Sequence, residues 1–203
     1  MPNNSATGGP LQPTAVSPPI EGQALNRFFQ AFLVGLSALD GTMVRPSFQT
    51  EPPDVPDKGE CWMAFRYSDQ PSDTYPYVKH DSTGDGSDQL QRHENINILC
   101  SFYDTGTNGL ADATMKLVRD GLAIAQNREY LVTQGMAFIS CGSPVTVPSL
   151  LKTQWLYRVD LPLVIRRAVV RTYPVLNVLE ADGNIYTDVG YGPLPIKVGA
   201  TKP

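Results

Sequence analysis

The sequence predicts an α+β fold: a mostly antiparallel sheet packed against two main helices, with a long strand or hairpin extension and flexible termini. Three observations carry this expectation. Trp155, Tyr157, Val159, Leu161, Leu163 and Ile165 alternate with Leu156, Arg158, Asp160, Pro162 and Val164, the two-residue period of a strand with one buried face. Leu25, Phe28, Phe29, Phe32, Leu36 and Leu39 instead recur at steps of three and four, the period of an amphipathic helix. The elements also come in the order helix, strand, strand, helix, short strands, long strand and hairpin, which suits helices gathered on one side of an antiparallel sheet.

Taken along the chain, residues 1–20 are poor in charge and rich in Pro, Gly, Ser, Thr and Asn, so they are expected as an arm ordered only where a partner holds it. Pro18-Pro19 mark the start of the first helix and Asp40-Gly41 its end. Four prolines between Pro46 and Gly59 make an extended connector. Cys61–Tyr67 alternates as a strand, with Cys61, Met63, Phe65 and Tyr67 on one face.

Ser68–Arg92 has no strong period and is expected as a projecting acidic loop carrying Asp69, Asp73, Asp81, Asp85 and Asp88, with Asp85-Gly86 able to close a hairpin inside it. His93–Phe102 is a strand with Ile96, Ile98, Cys100 and Phe102 on one face. The second helix is expected over Gly109–Asn127, with Leu110, Ala113, Leu117 and Ala123 or Ile124 inward, followed by a helical turn over Arg128–Gln134 that Gly135 stops. Met136–Cys141 and Val145–Val147 are short strands flanking Gly142-Ser143-Pro144. Trp155–Arg171 is the long strand, whose alternating core alone spans roughly 36 Å, about twice a usual strand. Pro162 cannot donate to a ladder and marks this strand as an edge or as bulged. Val175–Leu179 and Ile185–Asp188 are expected to pair through an Asp182-Gly183 turn, leaving a Gly/Pro-rich tail. The expected organisation is an arm at 1–20, one domain at 21–188 and a tail at 189–203.

A chain of 203 residues with 41% hydrophobic and 18% charged content is large enough for one good-sized core. No stretch is long and apolar enough for a membrane span, and the N-terminus lacks the basic and apolar regions of a secretory signal. Cys61, Cys100 and Cys141 are widely spaced, a pattern of buried thiols in a reducing compartment. The formal net charge of −4 argues against nonspecific nucleic-acid binding as the main task, because such binding rests on neutralising phosphates. Charge is nonetheless asymmetric. Residues 150–203 hold seven basic and four acidic groups, which leaves nine basic and sixteen acidic groups in the first 149, so opposite faces are available to meet between copies.

Candidate chemistry is sparse. Asp81 to Gly86 has the start of a calcium loop, but Thr83 stands at its third position and Arg92 at its twelfth, where a bidentate Glu is needed. Gly84-Asp85-Gly86 lacks the third glycine of a dinucleotide fingerprint. His80 and His93 are the two histidines, and neither lies near a cysteine in sequence; no catalytic, cofactor or metal residue is assigned. Glu51/Asp54 and Asp81/Asp85, the carboxyl pairs that a glycoside hydrolase would need, occur in Pro- or Gly-rich stretches where solvation explains them. The sharpest local signal is Arg166, Arg167 and Arg171. These read either as a solvated strand edge or, with Arg158 and Asp160, as a charged clamp on an adjoining subunit, which the rigid fork of arginine suits.

Four segments together resemble a known family: Val44–Pro53; Arg92-His93-Glu94 leading into Ser101-Phe102-Tyr103; Arg119-Asp120-Gly121-Leu122 with Gln126–Glu129; and Arg158–Leu161 continuing to Arg171-Thr172-Tyr173-Pro174-Val175-Leu176. They are similar to the neck terminator, or tail terminator, proteins of tailed bacteriophages, over roughly residues 20–188. The resemblance implies a non-enzymatic virion protein without cofactors, assembled in the host bacterial cytoplasm. It implies a hexameric ring at the head-proximal end of the tail that ends tube growth and joins the tail to the head connector or collar. Its partners would be further copies, the tail tube protein, the sheath of a contractile tail and the connector, with no membrane. Genome DNA would pass through the lumen without specific binding, and the aspartates of 68–92 are candidates for lining it. Another tail or neck ring component, such as the tube or connector protein, is the nearest alternative; a virion hydrolase or a DNA-binding module are remote ones.

Overall fold

A computed structural model describes residues 3–16, 20–49, 54, 56, 59–71, 73–104, 106, 109–151, 154–178, 180–185 and 194–199. In chain order the elements are β1 (Ala15–Val16), α1 (Gly22–Ser37), a 3-10 turn (Gly41–Met43), β2 (Val44–Pro46), β3 (Cys61–Pro71), β4 (Tyr77–Asp81) and β5 (Ser87–Asp104). Then come α2 (Leu110–Ala123), α3 (Ala125–Val132), β6 (Met136–Cys141), β7 (Val145–Leu151), β8 (Gln154–Tyr173), β9 (Glu180–Ile185) and β10 (Leu194–Gly199). The fold is α+β, with an open, mostly antiparallel sheet.

Two compact units share the chain. One gathers Pro18–Tyr75 and Arg92–Val169; the other gathers Met1–Ser17, Pro76–Gln91 and Val170–Pro203.

In the larger unit the strand order is β8-β5-β3-β2, with β6 and β7 along the other flank of β8. β3 runs antiparallel to β5 in a register that sets Met63 opposite Phe102 and Phe65 opposite Cys100. β2 joins parallel to β3. Because side chains alternate across a strand, Met63 and Phe65, Ile96 to Phe102, and Val159 to Ile165 share one face, and the three helices bury it. α1 supplies the widest stripe: Leu25, Phe28, Phe29, Phe32, Leu33 and Leu36 are all buried, each contributing about 1.5–3 kcal/mol. It ends at Ala38, left-handed at φ 56°, whose N–H bonds the Val34 carbonyl; Asp40 then caps the 3-10 turn by accepting from Thr42.

The second helical segment departs from expectation in two ways. It breaks at Ile124, which is extended at φ −80° and ψ 124°, where the Gly121 carbonyl accepts from both the Ile124 N–H and the Asn127 side chain. A Cβ on Gly121 would meet Leu36 at 3.2 Å, so this glycine lets α1 and α2 approach closely. The buried face of α2 is Ala111, Met115, Val118 and Leu122, one step round from the expected one, and Leu117 is 49% exposed. Sparse apolar residues left two faces of similar hydrophobicity, and contact with α1 selects between them.

Pro162 sits in an interior strand, since β8 has β5 on one flank and β6 and β7 on the other, which corrects the edge-strand reading. Its missing donor is tolerated because the ladder with β6 ends at Leu163 and that with β7 begins at Asp160, leaving Pro162 opposite the crossing at Gly142. Gly142 donates to the Pro162 carbonyl at 2.8 Å, and a Cβ there would lie 2.7 Å from the proline ring. The irregularity expected near this proline lies in β6, between Phe138 and Ser140.

In the smaller unit the expected acidic loop is corrected to regular structure. β4 pairs antiparallel with Ser87–Gln91 of β5, so Tyr77–Gln91 is a hairpin that turns at Ser82–Gly86; Cys61–Pro71 had already extended the preceding strand past Ser68. Half-buried residues on both faces of Ser87–Gln91 erase the period that would have revealed this strand. The N-terminal segment finds a partner in its own chain, with Ala15 opposite Thr172 and Val16 opposite Arg171. The expected turn at Asp182-Gly183 is also corrected: both residues lie inside β9, paired with Lys197 and Ile196 of β10, a strand in the stretch expected as tail. Ile185–Asp188, its expected return strand, lies mostly outside the described residues.

Phe29→Ala, at a fully buried site, is expected to lower unfolding free energy by about 3–5 kcal/mol in urea titration, whereas Leu117→Ala should change it by no more than about 0.5 kcal/mol. A large loss at Leu117 would return that side chain to the core.

Candidate assembly surfaces

The core face of the larger unit is apolar up to Ile165 and then ionic. Arg167, the next inward position of β8, is 2% exposed and spends its whole fork within the chain. Its Nε donates to Glu94 at 3.0 Å, Nη1 to the Ile20 carbonyl at 3.1 Å and Nη2 to Asp69 at 3.1 Å, with Glu21 at 3.6 Å. Burial pushes the Asp69 carboxyl up and Arg167 pulls it back. Of the arginines expected to clamp a neighbour, Arg167 is thus an internal brace joining β3, β5, β8 and the start of α1. Arg166 takes the opposite face, where its Nε meets Asn95 at 3.2 Å and the side chain is exposed. Arg171, in the smaller unit, is half-buried opposite Val16.

The other face of this sheet carries a row that sequence reading did not assemble. Trp62 and Tyr103 are cross-strand partners whose rings stack at 4.1 Å with 9° between their planes. Arg45 caps the Trp62 ring at 5.9 Å and Arg158 the Tyr103 ring at 5.6 Å. Arg158 also makes a two-point contact with Asp160, both bonds 2.7 Å, so these two candidate interface residues are already paired with each other. Trp62 Nε1 is buried without a hydrogen-bond partner among the described residues. Beyond the row, Asn97, Leu99, Pro162 and Val164 floor an open groove of about 490 Å³ that Phe48, 81% exposed, borders and that Arg66 and Ser68 of β3 flank. The outward positions of each strand were legible singly; only their register makes a surface.

At the start of β8 the core face outruns the core. Val159 is buried, but Tyr157 is partly exposed and Trp155 is 72% exposed. The β7 register sets Leu150, 57% exposed, directly opposite Trp155, so the β7–β8 turn presents an uncovered apolar pair. Tyr157 is steadied by donating to Asp112 of α2 at 2.8 Å.

The five aspartates of 68–92 do not form one acidic fringe. Asp69 holds Arg167, and Asp73 accepts from the His93 backbone and ring. Asp81 caps the hairpin turn at Thr83, Asp85 lends its carbonyl to Asn177, and Asp88 lies 2.6 Å from His80 Nδ1. Asn177 locks the turn: its amide group donates to the Ser82 and Gly84 carbonyls, which directs its oxygen at His80 Nε2, 2.8 Å away. Both imidazole nitrogens therefore face acceptors, which favours the doubly protonated ring. Hydrogen bonds to Asp88 and then Asn177 raise the His80 pKa above its ordinary value.

Burial pushes the Cys61 and Cys100 thiols up, away from the thiolate needed for nucleophilic attack. No group of three or more metal-binding side chains occurs among the described residues. None of the described helices is long and apolar enough to cross a membrane. What the arrangement offers is surface for contact.

Arg167→Ala is expected to cost about 1–3 kcal/mol of stability, because it empties a buried site and takes the Arg167 donors from the partly exposed Glu94 carboxylate and the Ile20 carbonyl, whereas Arg167→Met should be milder and Arg166→Ala should stay within about 0.5 kcal/mol; urea unfolding of the three variants ranks them. A folded-state pKa raised at His80 means that its contribution is complete below the ordinary value of about 6.5 and disappears as pH rises through the raised value. Hydrogen exchange at the Asn177 amide should accordingly speed up across that upper window beyond its intrinsic pH dependence. In Asp88→Asn the His80 titration followed by NMR should move down.

No curated protein matches this chain. Residues 23–189 match the family described as phage neck terminator protein, a stretch that includes the Arg167 brace, the stacked row, the groove and the β7–β8 tip. The chain belongs to the phage neck terminator family, structural proteins of the virion neck.

Proposed function

We propose that copies of this chain close into a hexameric ring at the head-proximal end of the tail, where the ring ends tube growth, presents a docking surface to the head connector and leaves a lumen for the genome. The observation that carries this reading is that, among the described residues, apolar side chains are open to contact at two places: exposed Phe48 beside half-buried Leu99, Pro162 and Val164 on the sheet face opposite the helices, and Trp155 with Leu150 at the β7–β8 tip. Contiguous exposed apolar area on a folded domain marks contact with other molecules. A surface patch that meets a different patch on the next copy generates rings when the rotation closes.

Within this reading the candidate charged residues divide. Arg158, Asp160 and Arg166 flank the open sheet face and belong to the subunit contact, as does Arg171 on the smaller unit. Arg167 supports that contact only by holding the strands that bear it. Asp81, Asp85 and Asp88, gathered at the β4–β5 turn, are the lumen candidates, where negative charge would keep DNA from adhering. Asp69 and Asp73 serve the lumen only indirectly, through Arg167 and His93.

Cryo-electron microscopy of the protein mixed with purified tails tests the reading. The expected result is one ring of density at a single end of each tube, with no further tube growth. A chain that stays monomeric, coats the tube along its length or polymerises by itself into tubes would overturn it. Arg166→Ala is expected to loosen the ring on native mass spectrometry without altering subunit stability, since a contact repeated at every interface is lost at each of them.

A further inference from the structure

The tip and the groove both offer apolar side chains to a partner. The tip pairs a large flat indole, Trp155 of β8, with a branched aliphatic side chain, Leu150 of β7, and both lie beyond the helices at the end of the core face. The groove is floored by Leu99, Pro162 and Val164 on the opposite face of the sheet, with Phe48 as one wall. Its open volume of about 490 Å³ leaves space for an indole to enter. Its β3 side, Arg66 and Ser68, is polar, and Asn97 lies in the floor beside Leu99, so an apolar anchor would meet a mixed lining with solvated groups along one side.

One molecule cannot satisfy both surfaces itself. Trp155 and Val164 are nine residues apart on the same strand, about 30 Å along it, and point to opposite sides of the sheet. The tip of one molecule therefore cannot reach its own groove. We propose that the groove is filled by a second copy of the same chain, whose β7–β8 tip seats Trp155 and Leu150 between Phe48 and Val164. The proposal rests on the self-association in the reading above and specifies which surfaces meet. The contact is head-to-tail: each copy gives a tip to one neighbour and a groove to the other, the pattern that closes a ring. Trp155 is the anchor, as buried tryptophans are where single residues dominate an interface.

A head-to-tail contact has a signature that a symmetric one lacks. Trp155→Ser abolishes the tip and keeps the groove; Val164→Arg fills the groove and keeps the tip. Phe48→Asp, at a largely exposed wall residue, serves as a second groove variant that leaves the sheet untouched. Each variant alone is expected to self-associate at least about thirty-fold more weakly than the wild type and to run as a monomer on native mass spectrometry. Mixing the tip variant with either groove variant restores one intact contact per pair, so 1:1 dimers should form and growth should stop there.

Trp155→Ser rings that match the wild type would overturn the proposal, as would variants that are monomeric but fail to form the mixed dimer. Intact rings in Trp155→Ser that no longer bind purified tails would overturn it too, by giving the tip to the tube or connector. A wild-type chain that is itself monomeric would instead remove the ring reading, and the proposal with it.

Discussion

A strand of twenty residues runs past a helical layer that covers its inner face from Val159 to Ile165, and much of this protein follows from that mismatch. The inner row of β8 keeps its two-residue period beyond the core at both ends. Toward Tyr173 the row changes from Ile165 to Arg167, and the chain's own carboxylates close it with charge-assisted bonds. Toward Gln154 none of the described residues closes it, and Tyr157 and Trp155 emerge progressively into solvent. One end of the strand is thereby a structural brace and the other is an open surface.

The two faces of the sheet divide labour in a related way. The helix-covered face holds the buried aromatic and aliphatic side chains, so its energetics are those of an ordinary core. The uncovered face substitutes stacking and ion pairing for burial: Trp62 on Tyr103, an arginine over each ring, and Asp160 fixing Arg158. Such a row holds its side chains in place before any partner arrives, which reduces the entropy lost when another molecule covers it. A neck protein has reason to carry such a surface, since its work is contact.

The His80–Asn177 contact shows how polar groups order the Ser82–Gly86 turn of the smaller unit. Asn177 is bonded through its backbone N–H, its amide group and its amide oxygen to the Ser82–Gly86 turn and to His80, and Gly86 has no room for a Cβ beside it. Hydrogen bonds and a missing side chain do there what apolar packing does under α1.

Much of the core was readable in advance, because a helix with Phe28, Phe29, Phe32 and Leu36 in step and a strand alternating from Val159 to Ile165 each have one way to hide their apolar side. Where both sides of an element are alike, local pattern is silent or misleads: Ser87–Gln91 lost its period to half-burial on both faces, and in α2 the expected inward Leu117 is exposed while Met115 and Val118 are buried. The amino-acid order by itself determined which residues alternate, where backbone can turn and that no catalytic set is spelled out. Only the tertiary structure decided that Arg167 turns inward while Arg166 turns out, that Trp62 meets Tyr103, and that Leu150 faces Trp155. Those outcomes depend on strand register and on how far the helices extend, and both are set by contacts between residues distant along the chain, which no local spacing encodes.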